Sequence, residues 1–415
     1  MLRIYPFKAV RPRPDAAKDV ASVPYDVVSR EEARALGEHA PDSFIHVVRA
    51  DADIPDDVSP YDRRVYELAK ANFERLWRGG VLLQEDEPRL YLYRQQATIG
   101  GRELSQTGLV CCVHVEDYDK GRIKKHEKTR KEKEDDRTNH VLALNANAGP
   151  VFLAHRASGE IDALVRGACE GEPLYDFVAV DGVRHTVWVV DPAQEQAFLE
   201  AYGSLEAMYV ADGHHRSASA SRAAAERRKA NPGHTGAEEY NRFMAAVFPA
   251  DQLTILPYNR VVTDLHGMDD AEFLANLEEA CAVTPTSDPV PGRAGVFCVF
   301  VGGEWHACAF QESSIDHADP IASLDVSLLS ERVLEPILGI GDVRTDPRID
   351  FVGGGRGAEA LQKMVETGKA AAAFSMHPTT MEQLLAVSDA GMIMPPKSTW
   401  FEPKLRSGLL VHMLD

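Results

Sequence analysis

The chain has 415 residues, 44% of them apolar, with 45 Lys and Arg against 64 Asp and Glu, a formal net charge of −19. That length supports more than one hydrophobic core, so two domains are the natural expectation. The acidic balance excludes a general duplex-binding surface, which needs a net basic face, and no run approaches the roughly 18 apolar residues of a membrane span. A soluble, cytoplasmic protein is expected. None of the six cysteines (Cys111, Cys112, Cys169, Cys281, Cys298, Cys308) stands in a C-x-x-C pair. They read as reduced core residues rather than as a zinc or redox centre.

In chain order, "VPYDVVSREEARALGEH" predicts a loop and then a short helix capped by Ser29, with Glu31 and Glu32 in its first turn. "YDRRVYELAKANFERLWRGG" places Val65, Leu68, Ala69, Phe73 and Leu76 at helical spacing, and Gly79-Gly80 stops the helix. "RLYLYRQQATIGGRELSQTGLVCCVHVEDY" predicts two strands joined at Gly100-Gly101. The charged run "KKHEKTRKEKEDDRTNH" has Glu127/Lys131, Lys128/Glu132 and Lys131/Asp135 at i,i+4, the pattern of a solvated helix. Its ends read as cleft-lining: His126 and Glu127 before it, Arg137, Asn139 and His140 after it, with Glu127 a candidate general base. "VFLAH", "YDFVAV", "HTVWVV" and "FMAAVFPA" supply further strands. Residues 1–263 are expected to form an N-terminal α/β region, 264–320 a small inserted subdomain, and 321–415 a C-terminal α/β region.

The chemistry concentrates in "EAMYVADGHHRSASASRAAAERR". Val210 and Ala211 read as a short buried strand, Gly213 as a sharp turn, and the Ala/Ser/Arg segment as a helix that Asp212 caps. Free backbone N–H groups and the positive dipole end at such a start receive anions. Gly213, His214 and Arg216 are candidate phosphate ligands, with Asp212 or His215 near the chemistry. Adjacent histidines point to different sides, so they do not make a zinc tetrahedron, and beyond a possible Asp212 no protein metal ligand is expected.

Two further stretches stand out. "VGGGRGAE" contains Gly353, Gly355 and Ala358 in a G-x-G-x-x-A pattern, but no acid follows at the next strand end, which argues against dinucleotide binding. It reads as a packing turn or an auxiliary loop, and the alternating charges of "DVRTDPRIDF" before it as mutual pairs. "MPPKSTWFEPKLRSG" lacks the glycines of a phosphate loop; Pro395-Pro396 are expected to hold the chain extended and present Lys397, Ser398 and Thr399.

With "PFKAVRPRP", "VPYDVVSREEA", "IKKHEKTR", "ALNANAGPVF", "ADGHHRSASA", "DVRTDPRIDFVGG" and "MPPKSTWFEPKLRSGL", the chain resembles the domain-of-unknown-function 1015 family end to end. More distantly, the strand–DGHHR–helix unit and Pro395–Thr399 are similar to free serine kinases of the ParB/sulfiredoxin superfamily. That resemblance implies an α/β fold with mixed sheets, a ParB/sulfiredoxin-like core enlarged by insertions. It implies that Lys397, Ser398 and Thr399 line the same phosphate site as Gly213, His214 and Arg216. It further implies Mg²⁺ with ATP or ADP, and phosphoryl transfer to a small hydroxyl acceptor, free L-serine first. Asp212, Glu127 and His215 are the catalytic candidates, and His126, Arg137, Asn139 and His140 the substrate candidates. Two other classes stay open: a nucleotide-binding switch of the CTP-binding partition type, acting through a partner, and a metal-dependent phosphohydrolase.

Overall fold

The computed structural model describes residues 1–415. The chain divides into two units, each with its own large sheet beside smaller two-stranded ones. The first comprises Met1–Thr98, Arg102–Leu253 and Pro403–Asp415; the second comprises Ile99–Gly101 and Thr254–Glu402.

In the first unit, continuous apolar runs become the central strands because both faces of the sheet are covered. Its nine strands are β1 (Ile4–Tyr5), β2 (Tyr91–Ile99), β3 (Arg102–His114), β4 (Ile123–Lys124), β5 (Val151–His155), β6 (Tyr175–Val178), β7 (Arg184–Val189), β8 (Met208–Asp212) and β9 (Arg242–Pro249). Their order is β4-β8-β5-β9-β3-β2-β7-β6, with β1 added beside β3. β9 runs parallel to β5 and antiparallel to β3, so the sheet is mixed. Its longer helices are α1 (Arg30–Gly37), α2 (Arg63–Arg78), α3 (Lys131–Leu144), α4 (Gly159–Ala168), α5 (Pro192–Gly203) and α6 (His214–Ala230).

One core joins Leu109, Cys111, Val113, Leu153, Val210 and Phe243 of the strands to Ile161, Phe198 and Tyr202 of α4 and α5. A second gathers Phe44, Phe73, Leu76, Leu82, Leu144 and Val411. Ser29 caps α1 in a reciprocal box with Glu32, and α2 buries Val65, Ala69, Phe73 and Leu76, as their spacing predicts. The charged helix α3 begins only at Lys131. Glu127 and Lys128 precede it, so of the three expected i,i+4 pairs only Lys131–Asp135 is a helical ion pair, at 2.7 Å.

The C-terminal residues 403–415 lie in this first unit. Gln95 Nε2 donates to the Lys404 carbonyl at 2.8 Å and Gln106 Nε2 to Gln95 Oε1 at 2.9 Å. Ser407 exchanges both backbone hydrogen bonds with Ser22, and His412–Met413 pairs with Ala146–Asn147. Arg406, almost wholly buried, donates to His185 Nε2 at 3.2 Å, and His185 Nδ1 lies 2.7 Å from the Tyr93 hydroxyl. At Gly408 (φ +89°) a Cβ would lie 2.6 Å from Phe44 Cβ, so only glycine fits there.

The second unit holds a six-stranded antiparallel sheet. Its strands are β10 (Tyr258–Val262), β11 (Ala282–Pro285), β12 (Val296–Val301), β13 (Glu304–Ala309), β14 (Ile349–Gly353) and β15 (Ala372–Met376), in the order β11-β13-β12-β15-β10-β14. The hairpin expected within 264–320 is therefore continuous with strands from either side of that segment. Gly353 and Gly354 form a packing turn: a Cβ would lie 2.9 Å from the Trp400 ring at the first and 2.5 Å from the Pro257 carbonyl at the second. Asp342–Arg344 and Asp346–Arg348 pair with each other at 3.1 and 2.7 Å. All six cysteines are free thiols, five of them buried. No helix is long and apolar enough to cross a membrane.

Candidate functional site

Strand β8 is an inner strand, between β4 and β5, and its register against β5 slips between Val210 and Asp212. Asp212 is its last residue. Gly213 then takes φ +94°, a left-handed conformation that turns the chain directly into α6. Asp212 does not cap the helix as expected. Its Oδ1 accepts the Gly213 N–H at 2.8 Å, and Gly213 is itself the N-cap, without a side-chain cap. No side chain therefore caps the first-turn N–H groups. Ser217, Ala218, Ser219, Ala220, Ala223 and Ala224 form the buried face of α6, small enough to bring its start close to its neighbours.

Two cations meet at Asp212. Lys404 Nζ lies 3.3 Å and Arg216 Nη2 3.6 Å from Oδ2. Burial alone would push the Asp212 carboxyl up; Lys404 and Arg216 overcome it and hold the group well below the usual carboxylate range. Arg216 also donates from Nη1 to the Pro150 carbonyl, while its buried Nε has no hydrogen-bond partner.

The imidazoles divide by role. His214 and His126 meet edge to face with ring centroids 4.5 Å apart. Burial keeps both neutral, pushing His126 down to about 4 and His214 well below its ordinary value. His214 Nδ1 stands 3.8 Å from Glu127 Oε2, and Glu127 is 40% exposed, as suits a carboxylate at a cleft edge. His215 turns the other way: its Nε2 accepts the Arg130 N–H at 3.1 Å.

Beside the helix start lies a cavity of about 40 Å³, with Tyr25, Arg137, His140, Asn147, Arg216 and Ser407 among its walls. Arg137 pairs with Asp136 through Nε at 2.9 Å and Nη2 at 2.8 Å, and its guanidinium sits 4.2 Å from the centroid of the Tyr25 ring. His140 Nε2 is 2.9 Å from the Val47 carbonyl, and burial lowers its pKa to about 4. Of the residues expected around the charged run, Arg137 and His140 line this cavity, His126 and Glu127 join His214, and Asn139 lies on the exposed face of α3.

Lys397, Ser398 and Thr399 belong to the second unit. Pro396 and Lys397 form a turn rather than an extended stretch, with Lys397 at φ +59°. The Lys397 carbonyl accepts from Arg260 Nη2 at 3.0 Å, its ammonium lies 5.2 Å from the Tyr258 ring centroid, and Ser398 Oγ donates to the Pro395 carbonyl at 2.7 Å. Sequence reasoning missed Lys404, Tyr25 and Ser407. Lys404 sits in the same quoted "PKSTWFEPKLRSG" string, and nothing in its spacing distinguishes it from Lys397.

Fold and site together define a mixed α/β protein in which an uncapped helix start lies beside a carboxylate held by Lys404 and Arg216. The chain belongs to the family described as protein of unknown function (DUF1015), whose model matches residues 4–327. No curated protein matches it. Among solved structures, it is similar to a free serine kinase in complex with AMP (13% identity, 72% of this chain and 91% of that chain, TM-score 0.37). It is also similar to SbnI with a C-terminal truncation from Staphylococcus aureus (13% identity, 73% and 87%, TM-score 0.39). A third is a conserved hypothetical protein from Pyrococcus furiosus (12% identity, 73% and 95%, TM-score 0.36).

Proposed function

We propose that the start of α6 binds nucleotide phosphates and that the protein transfers a phosphoryl group to a small hydroxyl acceptor, free L-serine first, in a ParB/sulfiredoxin-like core. One observation carries this reading: an uncapped helix start where Arg216 and Lys404 converge on a single carboxylate. A nucleotide phosphate would be held by the first-turn N–H groups, Arg216 and Lys404 through charge-assisted bonds. Catalysis is then mainly positioning and charge neutralisation. Glu127, 3.8 Å from His214 and part-exposed, would accept the hydroxyl proton. His214 is kept neutral by burial, so its Nδ1, 3.8 Å from that carboxylate, adds no positive charge beside it.

A low-pKa carboxylate beside phosphate-binding cations fits the Mg²⁺ of nucleotide sites, which is held by one or two carboxylates and substrate phosphates. Asp212 would hold it, and the ion would neutralise phosphate charge. Lys397, Ser398 and Thr399 remain proposed phosphate ligands on the resemblance to the kinases. The six free thiols suit a reducing cytoplasm.

The test is thermal shift with ATP, ADP, CTP, GTP and pyrophosphate plus Mg²⁺, with and without L-serine. A nucleotide shift that grows with serine, followed by phosphoserine formation, is the expected result. Phosphate release without an acceptor would make it a hydrolase, and tight binding without turnover a switch. No shift at millimolar nucleotide, or an Arg216→Ala variant with unchanged nucleotide affinity, would refute the placement.

A further inference from the structure

We propose that the cavity beside the helix start is a binding site for the carboxylate of a short-chain monocarboxylic acid, with Arg137, Tyr25 and Ser407 as its recognition groups. It rests on the phosphoryl-transfer reading only in making that acid the acceptor.

The walls present donors that the protein leaves unused. Arg137 spends Nε and Nη2 on Asp136, which leaves Nη1 without a protein partner. Neither the Tyr25 hydroxyl nor Ser407 Oγ takes a protein hydrogen bond, and both residues line the same cavity. Gly149 forms the wall between Ser407 and Arg216: a Cβ there would lie 3.0 Å from Ser407 Oγ and 4.0 Å from Arg216 Nη1. Three donors without a protein partner on residues that line one cavity offer a ready set of hydrogen bonds to an acceptor bound there.

Size and charge select the ligand. A cavity of about 40 Å³ holds roughly three water molecules, the space of a carboxylate and a carbon or two. Val48, Val141, Val151 and Phe243 supply an apolar side for a short stem. Arg137 is already paired with buried Asp136, and Arg216 and Lys404 share the partly buried Asp212, so three cations stand against two carboxylates. Exposed Asp26, next to Tyr25, adds a further, screened negative charge. The balance favours a monoanion or a zwitterion and disfavours a phosphate dianion. The planar guanidinium of Arg137, held in place by Tyr25 and Asp136, matches the geometry of a carboxylate. Arg216 belongs both to this cavity and to the Asp212 cluster, so a hydroxyl on the acid's short stem would face the phosphate end.

The experiment is isothermal calorimetry on the full chain without nucleotide, using L-serine, L-alanine, ethanolamine and inorganic phosphate as probes. L-serine and L-alanine should bind. Ethanolamine, which keeps the amine and hydroxyl but lacks the carboxylate, should not, and phosphate should not compete. Arg137→Gln should weaken serine binding about 10- to 100-fold, as loss of a charge-assisted bond does. Because it also takes the ion-pair partner from Asp136, leaving it only the Tyr66 hydroxyl, Tyr25→Phe serves beside it: the ring stays on the guanidinium and only the hydroxyl is lost, with a several-fold weakening expected. Nucleotide affinity should be unchanged in both variants. No carboxylate binding by the wild type, displacement of bound serine by phosphate, or full serine affinity in Tyr25→Phe and Arg137→Gln would each overturn the proposal. Serine binding without any nucleotide binding would instead refute the phosphoryl-transfer reading and leave this one standing.

Discussion

Lys404 and Asp212 provide a quantitative test of whether the helix start is an electrostatic unit. At the 3.3 Å separation of Nζ and Oδ2, two unit charges attract by about 1.3 kcal/mol in bulk water and about 5 kcal/mol at an effective dielectric of 20. The pair lies between these limits, since the Lys404 side chain is 13% and that of Asp212 26% exposed. Removing Lys404 does not strand the carboxylate, because Arg216 remains 3.6 Å away. Breaking a buried pair that leaves a bare charge costs roughly 3–5 kcal/mol, so here a coupling of about 1.5–3 kcal/mol is expected. The assay is a double-mutant cycle by urea unfolding at pH 7: wild type, Lys404→Met, Asp212→Asn and the double variant. The Asp212 pKa is depressed in the folded state. Its contribution is therefore complete above the unfolded value near 3.9 and lost as pH falls through the folded one, so pH 7 reads it in full. A coupling below about 0.5 kcal/mol, the range of an exposed salt bridge, would refute the reasoning.

Three further outcomes are expected. The neutral buried imidazole of His140, with a pKa of about 4 against an unfolded value near 6.5, makes stability complete above about pH 6.5. It should then fall with acidification towards pH 4, by up to about 1.4 kcal/mol per pH unit; His126 acts in the same direction. Melting curves at pH 7.5, 6.5 and 5.5 should show the decline, His140→Gln should flatten it, and a wild-type Tm constant across that range would contradict it. Gly213→Ala must force a non-glycine residue to φ +94° and bring a Cβ within 3.0 Å of Arg216 Nε. About 1–2 kcal/mol of stability should be lost in chemical denaturation, together with anion affinity in calorimetry; an unchanged protein would show that the turn is not strained by a side chain. Gly408→Ala, with its Cβ 2.6 Å from Phe44 Cβ, should be worse, costing about 3 kcal/mol or more by strain and overpacking. A Tm within a degree or two of wild type would mean that Phe44 can move aside.

Local structure was largely legible. Ser29 three residues before Glu32, the spacing of Val65, Ala69, Phe73 and Leu76, and Gly100-Gly101 between two apolar runs each stand for one nearby energetic preference, and each appears as read. The start of α6 was legible for the same reason: Gly213 and Arg216 are three residues apart. What the site gains from afar was not. Lys404 reaches Asp212 across 192 residues, and Tyr25 meets Arg137 only because a loop and a helix pack together. Periodicity carries no information about such pairings. Asp212 was misread as a cap because its own side chain satisfies the Gly213 N–H, a contact one residue too early for an N-cap bond. In the charged run, alternating signs suggested helix from Glu127, while the helix forms only from Lys131, where the chain has already passed His126 and Glu127 to the Asp212 side.

The return of residues 403–415 to the first unit bears on how the protein is made. The first unit is nearly all synthesised by Leu253, yet its missing piece follows only after the roughly 150 residues of the second. At about 5–20 residues per second, a ribosome needs some 8–30 s to cover that interval. For that time Gln95, Gln106, Tyr93 and His185 lack the partners that Lys404, Pro403 and Arg406 bring. Asp212 is then without its lysine. The Asp212–Lys404 pair is thus among the last contacts the nascent chain can form, and a chain broken off before Pro403 lacks it.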